Sequence, residues 1–494
     1  MPTIPIRRPP FRALPAFALS AAMAVPAAGA DWLLPSSARW PGLGGAFFTT
    51  ELSVANRDTR DVTVTLKFYR HDENGSYGPE VSYPLRSGEA LTIPDVLKRA
   101  FGYMLDWGAI RVRADTTLLS VTSQTSTPAD GAGTFGQAVP GFSGAELVRH
   151  SRPATIAGIR QGAGARTNLV LANAIDDQIT VHAELFGPDG APLGPGRDWV
   201  LPPFGMTQAS SFVEEMAGPG SAIDGGRVVL RSSPPDASFA AYACVIDDAT
   251  NDPRTLLPAS LPEPSRTWIV PSSAHAPGAR GAFYTTDLTL ANSGEAEAFV
   301  TIRFLGHDAD GTNGPVRDVA VAAGATLPLR DVLGSLFGLT EGYGALLVTA
   351  TTPDLVVVAE TSTPSAGGGG FGQGVPAVPA ASFTSPGSTL WIGGIREDAS
   401  FRTNLVLANP ASGPVTVRAE LRDEDGTSLA SGSWDLPPLG MTQVGRVVET
   451  LLGAGETILG GQLFLSTQTP GGAFATYASV IDNSTNDPRT ILPR

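Results

Sequence analysis

The chain repeats itself. The run Trp32-Leu-Leu-Pro-Ser-Ser-Ala38 returns as Trp268-Ile-Val-Pro-Ser-Ser-Ala274, 236 residues later. The same offset links Asn56 to Asn292, Asp95 to Asp331, Phe135-Gly136-Gln137 to Phe371-Gly372-Gln373, and residues 166–173 to 402–409. One residue is then lost, and residues 201–208 match 436–443 at an offset of 235. A duplicated chain must fold as repeated units, because each copy encodes the same local preferences and the same faces to be buried.

Each half divides again. An Ala-Asn pair closes an apolar strand at Asn56, Asn173, Asn292 and Asn409, at steps of 117, 119 and 117 residues. A β-rich segment follows each one, at residues 62–69, 179–186, 299–305 and 415–421. A turn comes next: Asn74-Gly75, Asp189-Gly190, Asp310-Gly311 and Asp425-Gly426. Alternating β-branched residues around an Asx-Gly pair are a strong hairpin signal. The spacing then predicts one short helix per unit, over 96–101, 212–217, 332–337 and 447–452. Asp95 and Asp331 stand where an N-cap would, and Gly102, Gly218, Gly338 and Gly453 stand at the other end.

Counting strands gives about seven per unit, with turn signals at roughly Ig-domain spacing. The expected fold is therefore all-β: four tandem Ig-like β-sandwich modules, each with one short helix, in the order A-B-A-B. Their bounds are 31–145 (A1), 150–260 (B1), 266–382 (A2) and 388–494 (B2). The A modules end in Gly-Gln-x-Val-Pro, at 136–140 and 372–376. The B modules end in Val-Ile-Asp-x-x-Thr-Asn-Asp-Pro-Arg-Thr, at 245–255 and 480–490. This alternation implies that A and B present different faces and pack on each other. The short, Pro-rich linkers, such as 257–265, predict a stiff rod.

The run Arg-Thr-Asn-Leu-Val-Leu-Ala-Asn, the Asp-Gly hairpin, Leu-Pro-Pro-x-Gly and the closing Tyr-Ala-x-Val-Ile-Asp-x-x-Thr-Asn-Asp-Pro carry a resemblance. The last motif spans 242–253 and 477–488. The chain resembles tandem β-sandwich modules of uncharacterised secreted bacterial proteins. The resemblance implies export and a β-sandwich fold, and it implies no activity.

Composition agrees with short strands and many turns. Charged residues are only 16%, against 57 Gly and 42 Pro. Residues 1–30 read as an export signal. Arg7, Arg8 and Arg12 form a basic start, 13–25 an apolar stretch, and Ala28-Gly29-Ala30 a cleavage site. That apolar stretch is too short to span a membrane, and no later one is longer. The protein is thus expected to be secreted, whether extracellular, periplasmic or bound at the cell surface. The chain ends at Arg494 without a sorting motif, so surface retention would rest on a partner. The formal net charge is −14. An acidic chain repels phosphate backbones, which argues against nucleic acid as partner. The lone Cys244 allows no disulfide within the chain, and its counterpart is Ser479, so it reads as a small buried strand residue.

No motif for a zinc protease, a nucleophile elbow or a redox dithiol is present. His71-Asp72 and His307-Asp308 recur at hairpin tips and read as solvated turns. The glycine run at 367–374 has no helix behind it, so it reads as a flexible loop rather than a phosphate cradle. The acidic B-module loops offer oxygen ligands suited to calcium: Asp247, Asp248, Asn251 and Asp252, mirrored by Asp482, Asn483, Asn486 and Asp487. The same residues also favour tight Asx turns ahead of Pro253 and Pro488. Trp32, Trp268, Trp391, Trp199 and Trp434 recur at fixed places and read as packing residues. Trp40 and Trp107 are not repeated, their counterparts being Ala276 and Tyr343, and they are better suited to an exposed platform. Catalytic residues and an organic cofactor are not expected. The function expected is a non-catalytic structural or adhesive repeat protein that binds a surface protein or glycan. The alternative is a secreted hydrolase or accessory subunit whose dispersed Asp, Glu and His residues come together only in the fold.

Overall fold

A computed structural model describes residues 30–494 except 130, 163 and 261–264. The export-signal reading for 1–29 lies outside the described residues, as does part of the 257–265 linker. The protein is all-β, with several separate antiparallel sheets. Each sheet stays within one of the four repeat segments. No helix among the described residues is long and apolar enough to cross a membrane.

In A1 the first strand, Ala30–Pro41, pairs with Asp106–Ala114 up to a bulge between Leu34 and Ser37. Its far end then crosses to pair with Phe47–Asn56. One strand thereby ties together two four-stranded layers. Thr267–Pro277 does the same in A2. B1 and B2 each keep two distinct sheets. Strand alternation explains the cores. Val62, Val64, Leu66 and Phe68 point inward on one strand and are buried, while Thr63 stays exposed. The recurring asparagines are fully buried strand ends. The amide of Asn409 donates to the carbonyls of Gly413 and Pro437, and its oxygen accepts from Ala411 N–H. Asn56, Asn173 and Asn292 make the equivalent bonds. Such an asparagine satisfies backbone groups that the ended sheet leaves open.

The strand Ser238–Asp247 is apolar at nearly every position, which one-sided burial cannot explain. Phe239, Ala241, Ala243 and Val245 fill the B1 core. Ala240, Tyr242, Cys244 and Ile246 fill a second cluster with Leu33, Tyr69, Ala109 and Val139 of A1. The two faces of one strand therefore serve two modules. Burial pushes the Cys244 thiol well above its usual range, in keeping with a packing residue.

The helices fall at Val96–Phe101, Phe212–Ala217 and Val447–Leu452 as expected, but the A2 helix stops at Ser335. Gly334 weakens its interior. Asp331 accepts from Gly334 N–H, while Asp95 does not cap. Its carboxylate instead takes a 2.9 Å bond from Arg39.

The rod expected from the linkers is not what forms. A1 packs on B1, B1 on A2, A2 on B2, and B2 returns to A1, closing a ring. The hairpin turns are the joints. Gly75 N–H donates to Pro203 O and Asp72 N–H to Met206 O, carrying the A1 tip onto B1. Gly311 and Asp308 repeat this onto B2 at Pro438 and Met441. The tips bearing His71 and His307 are thus docked rather than solvated turns. B1 reaches A2 through Thr326 N–H to Pro188 O, and B2 reaches A1 through Ala90 N–H to Glu424 O. A Cβ on Gly75, Gly190, Gly311 or Gly426 would lie within 2.7 Å of backbone oxygen on the next module. In the A hairpins φ is ordinary, so close approach of two backbones is what demands glycine there.

Candidate functional site

The acidic loops lie at the centre of the ring. The strands Thr134–Pro140, Pro253–Leu256, Gly370–Val375 and Pro488–Ile491 meet there, one from each module. Asp247 accepts from Ala249 and Thr250 within its own loop, and from Gly370 N–H of A2 at 2.9 Å. Asp252 accepts from Gly372 N–H at 2.8 Å. Across the ring Asp482 takes Thr134 N–H and Asp487 takes Gly136 N–H of A1. Asp248 and Asn251 both receive Arg166, and Asn483 and Asn486 both receive Arg402. Each residue read as a calcium ligand is thus used as a hydrogen-bond acceptor through at least one of its oxygens. The glycine run completes this arrangement: a Cβ on Gly369 would meet the Asp247 carboxylate, as one on Gly133 would meet Asp482. Thr255 Oγ1 lies 2.8 Å from Gln137 Oε1, and Thr490 Oγ1 lies 2.9 Å from Gln373 Oε1. The alternating A and B signature motifs are each other's partners.

Asp252 and Asp487 are fully buried, and each has one carboxylate oxygen, Oδ1, with no hydrogen-bond partner among the described residues. Desolvation raises Asp252 to about 7, against the pull of Arg254. Desolvation, with the neighbouring Asp252, raises Asp487 well above the ordinary carboxylate range. Two interacting acids kept from water disfavour double ionisation, so the pair favours retaining a proton.

Between A1 and B1 lies a cleft of about 460 Å³. Ala38 pairs with Trp107, and Trp40 pairs with Phe48, two residues further along the same strand. Paired residues share a face, so three aromatic rings surround the small Ala38. Trp107 stacks on His71 at 4.0 Å and 6°, which fixes its plane. Trp40 is 41% exposed. Gln137, Asn168 and Gln208 line the cleft with amides. Arg166, also in the lining, is spent on Asp248 and Asn251. The matching A2–B2 positions hold Ala276, Tyr284 and Tyr343, and Tyr284 Oη donates to Asn486 O. Of the repeating tryptophans, Trp32, Trp268 and Trp391 are buried, while Trp199 and Trp434 are half-buried against their cores.

A second group escapes any reading of spacing. On B1, His182 Nδ1 lies 2.6 Å from Asp198 Oδ1, and His182 Nε2 lies 2.8 Å from Ser233 Oγ. Three strands, Ile179–Phe186, Arg197–Leu201 and Ile223–Ser233, supply one residue each. Their register pairs His182 with Asp198 on one side and Arg231 on the other. The residues differ in the second half, where the equivalents are Arg418, Ser433 and Gln468. Among the described residues no three Asp, Glu, His or Cys side chains form a group suited to a metal ion.

No family model matches the chain, and no curated protein is similar to it. Among solved structures, the chain is similar to one described as the crystal structure of Thermotoga maritima 1070. The match is at 23% identity, covers 23% of this chain and 93% of that one, and has a TM-score of 0.18.

Proposed function

We propose that the chain is an exported repeat protein of four Ig-like β-sandwich modules in A-B-A-B order, and that it binds a glycan of a cell or matrix surface through the A1–B1 cleft. The observation that carries this reading is the placement of Trp40, Phe48 and Trp107 around Ala38. Indole faces suit the C–H faces of sugar rings, and the flanking amides suit hydroxyl groups. Organisation as a closed ring favours a rigid presenter of that cleft. The acidic loops have a structural role in this reading, as a clasp between modules, and calcium is not needed for it.

A glycan-array screen with the exported protein tests the reading, run with and without calcium. Binding that is lost in both Trp40→Ala and Trp107→Ala, with unchanged melting temperature, supports it. Binding that survives both changes, or no binding to any glycan, removes the cleft from consideration.

A further inference from the structure

We infer that B1 carries a serine-hydrolase site for activated or acetyl esters, made of Ser233, His182 and Asp198. This goes beyond the binding role and assigns to the chain an activity separate from the cleft.

The protonation pattern follows from the geometry. An ionised carboxylate only accepts, so the 2.6 Å contact with Asp198 requires the proton on His182 Nδ1. Nε2 then holds a lone pair and accepts the Ser233 hydroxyl at 2.8 Å. This is the tautomer in which a histidine can take the serine proton. Asp198 positions the ring and steadies the imidazolium once it forms. Arg231, beside His182 on the same strand as Ser233, has no ion pair among the described residues. Its guanidinium can face the oxygen of a substrate carbonyl as negative charge develops there. His182, Arg197, Asp198 and Arg231 line a surface hollow of about 740 Å³.

The reaction balances with water alone. Ser233 Oγ bonds to the ester carbonyl carbon while its proton passes to His182 Nε2. The bond from that carbon to the alkoxy oxygen breaks, and the leaving oxygen takes the proton from His182. Water, deprotonated by His182, then displaces Ser233 from the acyl group, and the serine regains its proton. One ester and one water become one acid and one alcohol.

Exposure sets the substrate class. The side chains of His182 and Asp198 are 41% and 62% exposed. Water screens the Asp198–imidazolium attraction at such a site, so less charge stabilisation is available than in a dry one. Amides need a strongly assisted leaving group, whereas aryl and acetyl esters do not. The strand register, rather than a loop, holds the three groups, which favours a fixed geometry.

The test uses the full exported chain with 4-nitrophenyl acetate, beside Ser233→Ala, His182→Ala and Asp198→Asn. The expected result is hydrolysis at least tenfold above Ser233→Ala, with a similar loss in His182→Ala. Asp198→Asn should lower kcat and leave KM little changed. A fluorophosphonate probe should label Ser233, as located by peptide mass, and fail to label Ser233→Ala. Equal melting temperatures show that the variants are folded, and Ser233→Ala is mild enough to serve even if His182→Ala is not. A wild-type rate equal to that of Ser233→Ala, or a probe that does not label Ser233, overturns the assignment.

Discussion

Asp252 and Asp487 are both fully buried at the centre of the molecule, one from each half of the duplication. Each also holds a glycine N–H of an A module, so the acid pair and the closure of the ring are one arrangement. Both acids have raised affinity for protons in the folded state. In the unfolded chain they would release them near the ordinary value of about 4. Their stabilising contribution is therefore complete at acid pH and is lost as pH rises through about 7 for Asp252 and higher for Asp487. Asp487→Asn keeps an acceptor for Gly136 and removes the acid beside Asp252. Its melting temperature should fall less steeply than that of the wild type as pH rises from about 4 to about 7. Parallel curves for the two proteins would show that the raised proton affinity of Asp487 does not contribute.

Gly311 sits where the A2 hairpin meets B2, and a Cβ there would lie 2.0 Å from Leu439 O. Gly413 has open space around its Cβ position. Gly311→Ala should cost about 1–3 kcal/mol, the usual range for overpacking, while Gly413→Ala should be close to neutral. Urea denaturation of both variants checks this. Equal stability would mean that the hairpin can back away from its neighbour freely.

The two equivalent ring contacts are held differently. Between B1 and A2, Arg160 bonds Asp287 at 2.7 Å and Glu360 at 3.2 Å, and Arg330 adds Asp287 and Asp224. Between B2 and A1 the same positions are Arg396, Glu51, Gln124, Pro94 and Leu459, and Arg396 pairs with Asp398 of its own module. Glu360 is only 3% exposed, so Arg160→Met leaves a buried carboxylate without its cation. That loss should be on the order of 3–5 kcal/mol, whereas Arg396→Met should cost about 1 kcal/mol or less. Melting curves of the pair decide it.

Calcium is expected to have no effect on stability. Asp247, Asp252, Asp482 and Asp487 accept hydrogen bonds from neighbouring modules, and a cation would have to displace those donors. The melting temperature should be the same in millimolar calcium and in EDTA. A rise with calcium would return these loops to the role read from their composition.

The aromatic cradle is complete only in the first half, since Ala276 stands where A1 has Trp40. A glycan that binds should therefore do so at one site per chain. Titration calorimetry should give a stoichiometry near one, and Ala276→Trp with Tyr343→Trp should move it towards two. Two equal sites in the wild type would contradict a role for Trp40.

Much of this protein is legible in the sequence. The four buried asparagines, the Asx-Gly hairpins and three of the four helices lie where periodicity and turn chemistry put them, because each depends on neighbours within a few residues. The Tyr-Ala-x-Val-Ile strand was readable as apolar, though not as a strand shared by two cores. Asp95 stands in the cap position without capping, its carboxylate bonded to Arg39 from far away in sequence. His182, Asp198 and Ser233 could not be assembled from spacing. Only the register of three strands brings them together, and a shift of one residue would turn His182 to the other face.

Sequence by itself determined the duplication, the all-β character and the alternation of two kinds of ending, since these rest on composition and short-range pattern. Tertiary structure decided that the four units close into a ring and that the two endings bond to each other at its centre. The reason is physical. Whether a short linker yields a rod or a ring depends on which faces and hairpin tips fit together. That fit is set by backbone contacts at Gly75, Gly190, Gly311 and Gly426, which a linear pattern records only as turns.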